Sequence, residues 1–207
     1  MAPGDVTAQS FSSRKVCLGR AREHLANRAY NAARNTLERG LHQWPDLEFH
    51  HEFQTVLGHI AFRQGRFREA RGLLNRATGD PDCHVEARFL LGRALLESWR
   101  VEQAIVILES ILHDEEGLVP YRVHAGGALS VAYSALGLNK SSQDALEEAA
   151  AFGLISAQLL ADEGFRLMRV GAYPEAEVQL AKGLQVDSTC EDAFFRLCNT
   201  LYIQGKT

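Results

Sequence analysis

The chain has 207 residues, 46% hydrophobic and 23% charged, with 5 prolines and 8% aromatics. That balance describes a globular chain with a sizeable core and excludes a disordered or fibrous one. Against 22 basic residues stand 26 acidic ones, and the net charge of −4 argues against a strongly cationic nucleic-acid or membrane binder. Residues 1–13 lack periodicity and read as a flexible arm, with Ser12 or Ser13 placed to cap the first helix. No secretory signal is visible, because Asp5 sits where a positive n-region belongs and the first basic residue is Arg14. The most apolar stretch, 149–161, is broken by Gly153, Ser156 and Gln158. It falls short of the roughly 20 apolar residues a membrane span needs. Cys17, Cys83, Cys190 and Cys198 form no CxxC pair and no zinc spacing. They read as free, mostly buried thiols of a cytoplasmic protein.

From Arg14 onward a repeat runs through the chain. Each unit has a small residue in its first helix (A), an aromatic or apolar residue after a turn, then Ala, then Leu four residues later in its second helix (B). The first unit shows Tyr30, Ala33, Leu37, Gly40 and Pro45; the second Gly58, Gly65, Phe67, Ala70, Leu74 and Ala77. The third shows Gly92, Val101, Ala104, Leu108 and Ile111, and the fourth Ser130, Tyr133, Gly137, Leu146 and Ala149. The fifth shows Gly164, Gly171, Tyr173, Ala176, Leu180 and Gly183, and a half unit follows with Phe194, Leu197, Cys198 and Leu201. Unit starts near 14, 51, 85, 123, 157 and 191 are spaced by 37, 34, 38, 34 and 34 residues. The two longer spacings are expected to be loop insertions, around 47–50 and around 115–121, where Gly117 and Pro120 mark a turn.

This pattern resembles the tetratricopeptide repeat, a helix–turn–helix unit of about 34 residues. The resemblance covers about 190 of the 207 residues. The fourth-position Trp of the family is missing, and only Pro45 falls on its terminal proline position. The resemblance implies an all-α fold, a right-handed superhelical solenoid of antiparallel helix pairs over 14–207 with no independent subdomains. Its physical logic lies in the residues themselves. A glycine or serine in helix A lets helix B approach, and the Ala and Leu positions of helix B fill the space between. The last helix, 191–204, carries Phe194, Phe195, Tyr202 and Ile203, unusually apolar for a terminal cap. It is expected either to cap imperfectly, to be followed by further chain, or to mediate self-association.

Several motif fragments are set aside. Gly205-Lys206-Thr207 ends like a phosphate-binding loop, but Thr200 stands where its first glycine belongs. His51-Glu52 begins a zinc-peptidase motif whose second His is replaced by Thr55, and His51 and His59 lie two turns apart. Asn139-Lys140-Ser141 is a formal glycosylation sequon in a polar turn. The basic cluster Arg63, Arg66, Arg68, Arg71 and Arg76 lacks an aromatic platform and reads as a solvated face, not an RNA surface. No catalytic arrangement is legible, so the chain is read as no enzyme, with no cofactor, no metal and no nucleic-acid partner.

In the family that this chain resembles, the face of helix A looks into a groove. The residue-by-residue transfer places Arg22, His59 and Arg93 at the same position of the first three units, a basic ladder. Phe62, Arg63 and Phe89 stand beside it, and Phe165 and Arg169 occupy the matching face farther on, where the groove is more apolar. Arginine forks suit carboxylates. The rival reading pairs Arg22 and Arg93 with Glu52, Glu86 or Glu97 of neighbouring helices. Some family members grip the C-terminal carboxylates of heat-shock chaperones; here the matching positions are Leu18, Arg22, His59, Phe89 and Arg93, and only the last fits. The expectation is a non-catalytic scaffold or adaptor that binds a peptide or partner protein, with an acidic segment at the ladder. The alternatives are a positioning domain of a larger sulfotransferase- or glycosyltransferase-type enzyme, or a chaperone for secreted proteins.

Overall fold

The computed structural model describes residues 11–206, and every regular element among them is helical. The helices form two compact units, one up to Ala94 and one from Leu95.

The first unit holds α1 (Arg14–Ala26), α2 (Tyr30–Gln43), a short 3-10 helix (Pro45–Phe49), α3 (His51–Arg63), α4 (Phe67–Ala77) and most of α5 (Val85–Glu97). Ser13 is the N-cap of α1, its hydroxyl accepting from the Val16 N–H at 3.3 Å, which satisfies one of the orphan donors of the first turn. Helix α1 packs on α2, α3 on α4, and α3 on α1. Residues 1–10 of the expected arm lie outside the described residues. Phe11, its next residue, is buried. Its N–H donates to Gln43 Oε1 at 3.0 Å, the Gln43 amide returns a bond to its carbonyl at 2.9 Å, and Arg20 and Arg39 lie over its ring. The insertion expected near 47–50 is the 3-10 helix, which folds Leu47 into the core.

The second unit holds α6 (Val101–Leu112), α7 (Val119–Ala135), α8 (Asn139–Ala151), α9 (Ala157–Arg169), α10 (Tyr173–Val186) and α11 (Glu191–Ile203). Helices α7, α9 and α11, each the A helix of its repeat, contact one another in sequence, while α8 covers α7 and α10 covers α9. Pro120 does not mark a turn as expected. It lies in the first turn of α7, where no intrahelical N–H is required of it and its fixed φ suits the helix. Gly117 does belong to the preceding turn.

Two devices make the pairs. The first is the A–B turn. After each of the six A helices, the second residue past the helix end takes a left-handed conformation: Arg28, Gly65, Trp99, Gly137, Gly171 and Gly205. The following N–H then reaches back five residues, as Arg66 N–H to Ala61 O and Ala172 N–H to Leu167 O do, both at 2.9 Å. This is the Schellman arrangement. Its spacing of 37, 34, 38, 34 and 34 residues reproduces the repeat interval read from the sequence.

The second device is a notch and knob between helices. A Cβ at Gly58 of α3 would lie 2.6 Å from Leu74 Cγ of α4, and one at Gly164 of α9 would lie 2.5 Å from Leu180 Cγ of α10. In α7 a different solution appears. The buried hydroxyl of Ser142 in α8 lies 3.0 Å from those of both Ser130 and Ser134 and donates to the Ser130 carbonyl at 2.9 Å. The fourth pair thus closes on a satisfied polar trio, and Gly126 adds a close approach to Ala149.

Candidate peptide-binding face

In the first unit the A-helix face is built from α1, α3 and α5. Arg22 and His59 project from α1 and α3 as the repeat register requires, and Glu86 of α5 stands between them. His59 Nδ1 lies 3.4 Å from Glu86 Oε1, and Arg22 Nη2 lies 4.0 Å from Glu86 Oε2. Glu86 thus approaches two rungs of the ladder; its contact with Arg22 is one of the rival pairings weighed from the sequence, and its contact with His59 is not. Both contacts are long, and Nδ1 is buried without a well-aligned hydrogen bond. The His59 contact holds the Glu86 carboxyl below its ordinary value of 4.5, against the opposing pull of burial and with help from the charges of His59, Arg22 and His84. Half of the Arg22 side chain stays in solvent, leaving donors of its fork directed outward.

On α5, residues 86, 89 and 93 share one face by the helical period, so Phe89 and Arg93 follow Glu86 along the same line, both half-buried. Phe62 packs edge-on against Phe67 at the start of α4, with ring centroids 5.6 Å apart. Arg63 Nε donates to the Tyr30 hydroxyl at 3.3 Å. Phe62 is thus engaged across the A–B turn, and Arg63 with the start of α2. Two other arginines of the local cluster are engaged: Arg66 shares Glu69 with Arg34 of α2, and Arg76 Nε donates to Gln54 Oε1 at 3.2 Å.

In the second unit the same face reads Phe165 and Arg169 on α9 and Phe195, Asn199 and Tyr202 on α11. Phe165 is not an open apolar anchor. The guanidinium of Arg196 lies 4.9 Å from its ring centroid, near enough for a cation–π contact. Arg196 Nη1 also donates to Asp162 Oδ1 at 2.9 Å and to the Ala161 carbonyl at 2.8 Å, and Asp192 approaches at 3.8 Å. Asp162 is fully buried, and Gln158 bridges it to Asp192. Removing one partner from such a buried pair costs about 3–5 kcal/mol; this network fastens α11 to α9. Arg196 falls outside the groove positions transferred from the family, so nothing in its register marked it. Arg169 is exposed, and Phe195 and Tyr202 are 67% and 74% exposed. The open apolar part of this face is thus on α11, not at Phe165.

Among the described residues no three His, Cys, Asp or Glu side chains gather where they could hold a metal ion, and no helix is long and apolar enough to cross a membrane. Lys206 of the loop-like ending pairs with Glu177 at 2.6 Å, and Thr200 is buried inside α11. The four cysteines are free, but only Cys17 is buried and Cys198 is exposed, on a side of α11 that no helix among the described residues covers.

Comparison with known proteins agrees with the fold. Two tetratricopeptide-repeat sequence profiles match, over residues 18–82 and 61–123. No curated protein sequence matches. Among solved structures, a thermophilic tetratricopeptide-repeat protein of Thermus thermophilus superposes with a TM-score of 0.73 at 18% identity, over 92% of this chain and 100% of its own. PilF of Pseudomonas aeruginosa gives 0.65 at 13% identity, over 93% and 85%. YrrB, a repeat protein described as having an unusual peptide-binding site, gives 0.54 at 11% identity, over 88% and 91%. With matching profiles and the same left-handed turn after each of the six A helices, the chain belongs to the tetratricopeptide-repeat family, whose fold serves protein–protein and peptide interaction.

Proposed function

We propose that this protein is a non-catalytic adaptor that holds an acidic segment of a partner protein against the A-helix face of its first unit. The observation that carries the reading is the Glu86 carboxylate lodged between Arg22 and His59. The ladder already binds a carboxylate of the chain itself, and the outward half of Arg22 can hold a second one. Arg93 is the third rung, Phe62 and Phe89 are the flanking apolar contacts, and Arg63 borders the site. Phe165 and Arg169 mark the matching face of the second unit, with Phe195 and Tyr202 as its exposed aromatic surface. Anchors of this kind on preformed helices suit recognition of an extended or helical peptide. The free thiols support a reducing, cytoplasmic setting.

The test is titration of a fluorescein-labelled peptide rich in Asp and Glu into the full chain. Arg22→Glu with Arg93→Glu is expected to weaken binding at least tenfold while the helical circular dichroism stays unchanged. Undiminished binding by the folded double variant rejects the ladder as the site.

A further inference from the structure

Between residues 101 and 165 ten acidic residues stand against two basic ones, Arg122 and Lys140. Lys140 belongs to the first turn of α8, at the far end of the helices from the loops that lead into α7 and α9. Arg122 is already engaged. Its Nε donates to the Leu112 carbonyl at 2.8 Å, and its guanidinium lies 4.3 Å from the centroid of the Phe152 ring. These two contacts tie the end of α6 and the end of α8 to the start of α7. The loops 113–118 and 152–156 therefore lie side by side at one end of the second unit. Beneath them α7 and α9 run in the same direction, with Gly127 of α7 against Leu159 and Asp162 of α9.

Four aliphatic side chains crown this end. Leu118 and Val119 open α7, and Leu154 and Ile155 precede the Ser156 cap of α9. All four are exposed, Leu118 at 54% and Ile155 at 69%. An apolar residue just before an N-cap ordinarily folds onto the first turns of its helix, yet most of Ile155 stays in water. Single exposed aliphatics are normal on a protein surface; four on adjacent loops make a patch. Glu115 and Glu116 rim it, both exposed and neither paired among the described residues.

We propose that this end of the second unit docks an extended basic segment of a partner protein, with an aliphatic residue about every third position and lysine or arginine between. The aliphatic side chains seat on Leu118–Val119 and Leu154–Ile155, and the cations meet Glu115 and Glu116. The spacing follows from the helices below. Packed helices lie about 8–10 Å apart, and three residues of a polyproline-II-like chain span about 9 Å. Charge selects the occupant. An acidic segment would meet like charge at Glu115 and Glu116, and Arg122, the arginine beside the patch, is held by Leu112 and Phe152. Apolar burial supplies the affinity, and the cations fix which segment binds and in which register. This site is independent of the acidic-peptide reading. It lies in the second unit, at helix ends and not on the A-helix face, and it takes a ligand of the opposite charge.

The probe is a capped, fluorescein-labelled peptide, Lys-Leu-Lys-Lys-Leu-Lys-Lys-Leu-Lys, titrated into the full chain and followed by anisotropy. Saturable binding is expected. Glu115→Lys with Glu116→Lys is expected to weaken it at least tenfold, and Leu118→Ser with Ile155→Ser at least fivefold, with the helical circular dichroism unchanged in both. Replacing the leucines of the peptide by serine is expected to weaken binding at least tenfold, a control that stands even should a protein variant fail to fold. The chain carrying Arg22→Glu and Arg93→Glu is expected to bind this peptide normally, so failure at the ladder and failure here are read separately. Absence of saturable binding overturns the proposal, as does binding indifferent to the substitutions on the chain. A serine peptide that binds as tightly as the leucine one also overturns it, because the general acidic field is then the only attraction. A dimer in sedimentation equilibrium that Leu118→Ser with Ile155→Ser converts to monomer overturns it too, by assigning the patch to a second copy.

Discussion

Glu86 shows how one carboxylate changes the meaning of a row of cations. Arg22, His59 and Arg93 were legible as a ladder because they recur at one register position. Glu86 was legible as a groove residue, yet its place between two rungs depends on how α5 lies against α3, which no single-helix spacing encodes. Arg196 was not legible at all, because its role arises from a buried acid on another helix. Replacing Glu86 by Gln removes the internal counter-ion, so an acidic peptide is expected to bind about 1.4- to fivefold more tightly, the equivalent of the roughly 0.2–1 kcal/mol a partly exposed pair is worth. The same substitution has a pH signature. Because the folded state depresses the Glu86 carboxyl below 4.5, its contribution to stability is fully present above the ordinary value and is lost as pH falls through the folded one. The difference in urea midpoint between wild type and Glu86→Gln is therefore expected to be larger at pH 6 than at pH 3. A gap that widens in acid contradicts the pairing.

At the scale of the helices, the repeat was readable because its glycines recur for two separate physical reasons. Those of the A–B turns are needed for their left-handed backbone, and those inside helix A for the room they leave. Arg28 and Trp99 hide the first signal, since each takes φ near +58° without being glycine, a conformation that costs an ordinary residue about 1–2 kcal/mol. Ser130 hides the second, replacing a glycine notch with the hydroxyl trio. The start of α7 was misjudged because Pro120 reads equally as a turn residue or as the opening of a helix, and Val119 and Tyr121 do not decide between them. The notch argument separates two glycines that composition treats alike. Gly164→Ala forces its Cβ against the Leu180 branch point and is expected to destabilise by about 1–3 kcal/mol, as overpacking does. Gly72→Ala, in the exposed middle of α4 with open space around it, is expected to stabilise by about 0.5–1 kcal/mol through helix propensity alone. Chemical denaturation of the two single variants checks both signs.

Across the molecule, the total of −4 conceals an uneven distribution. Residues 1–100 carry 15 basic and 11 acidic residues, and residues 101–207 carry 7 and 15. The excess of cations falls on the stretch that holds the ladder, which is the end where an acidic segment is proposed to dock. Arg22 is half in solvent, so its attraction for a partner carboxylate acts largely through water and is screened over a Debye length of about 10 Å at 0.1 M salt and 3 Å at 1 M. Raising sodium chloride from 0.05 to 0.5 M is expected to weaken binding of the acidic peptide about tenfold, measured by anisotropy, and the double variant Arg22→Glu, Arg93→Glu is expected to lose most of that salt dependence. A salt dependence that the double variant keeps in full means that the general field of the protein holds the peptide, and not the ladder.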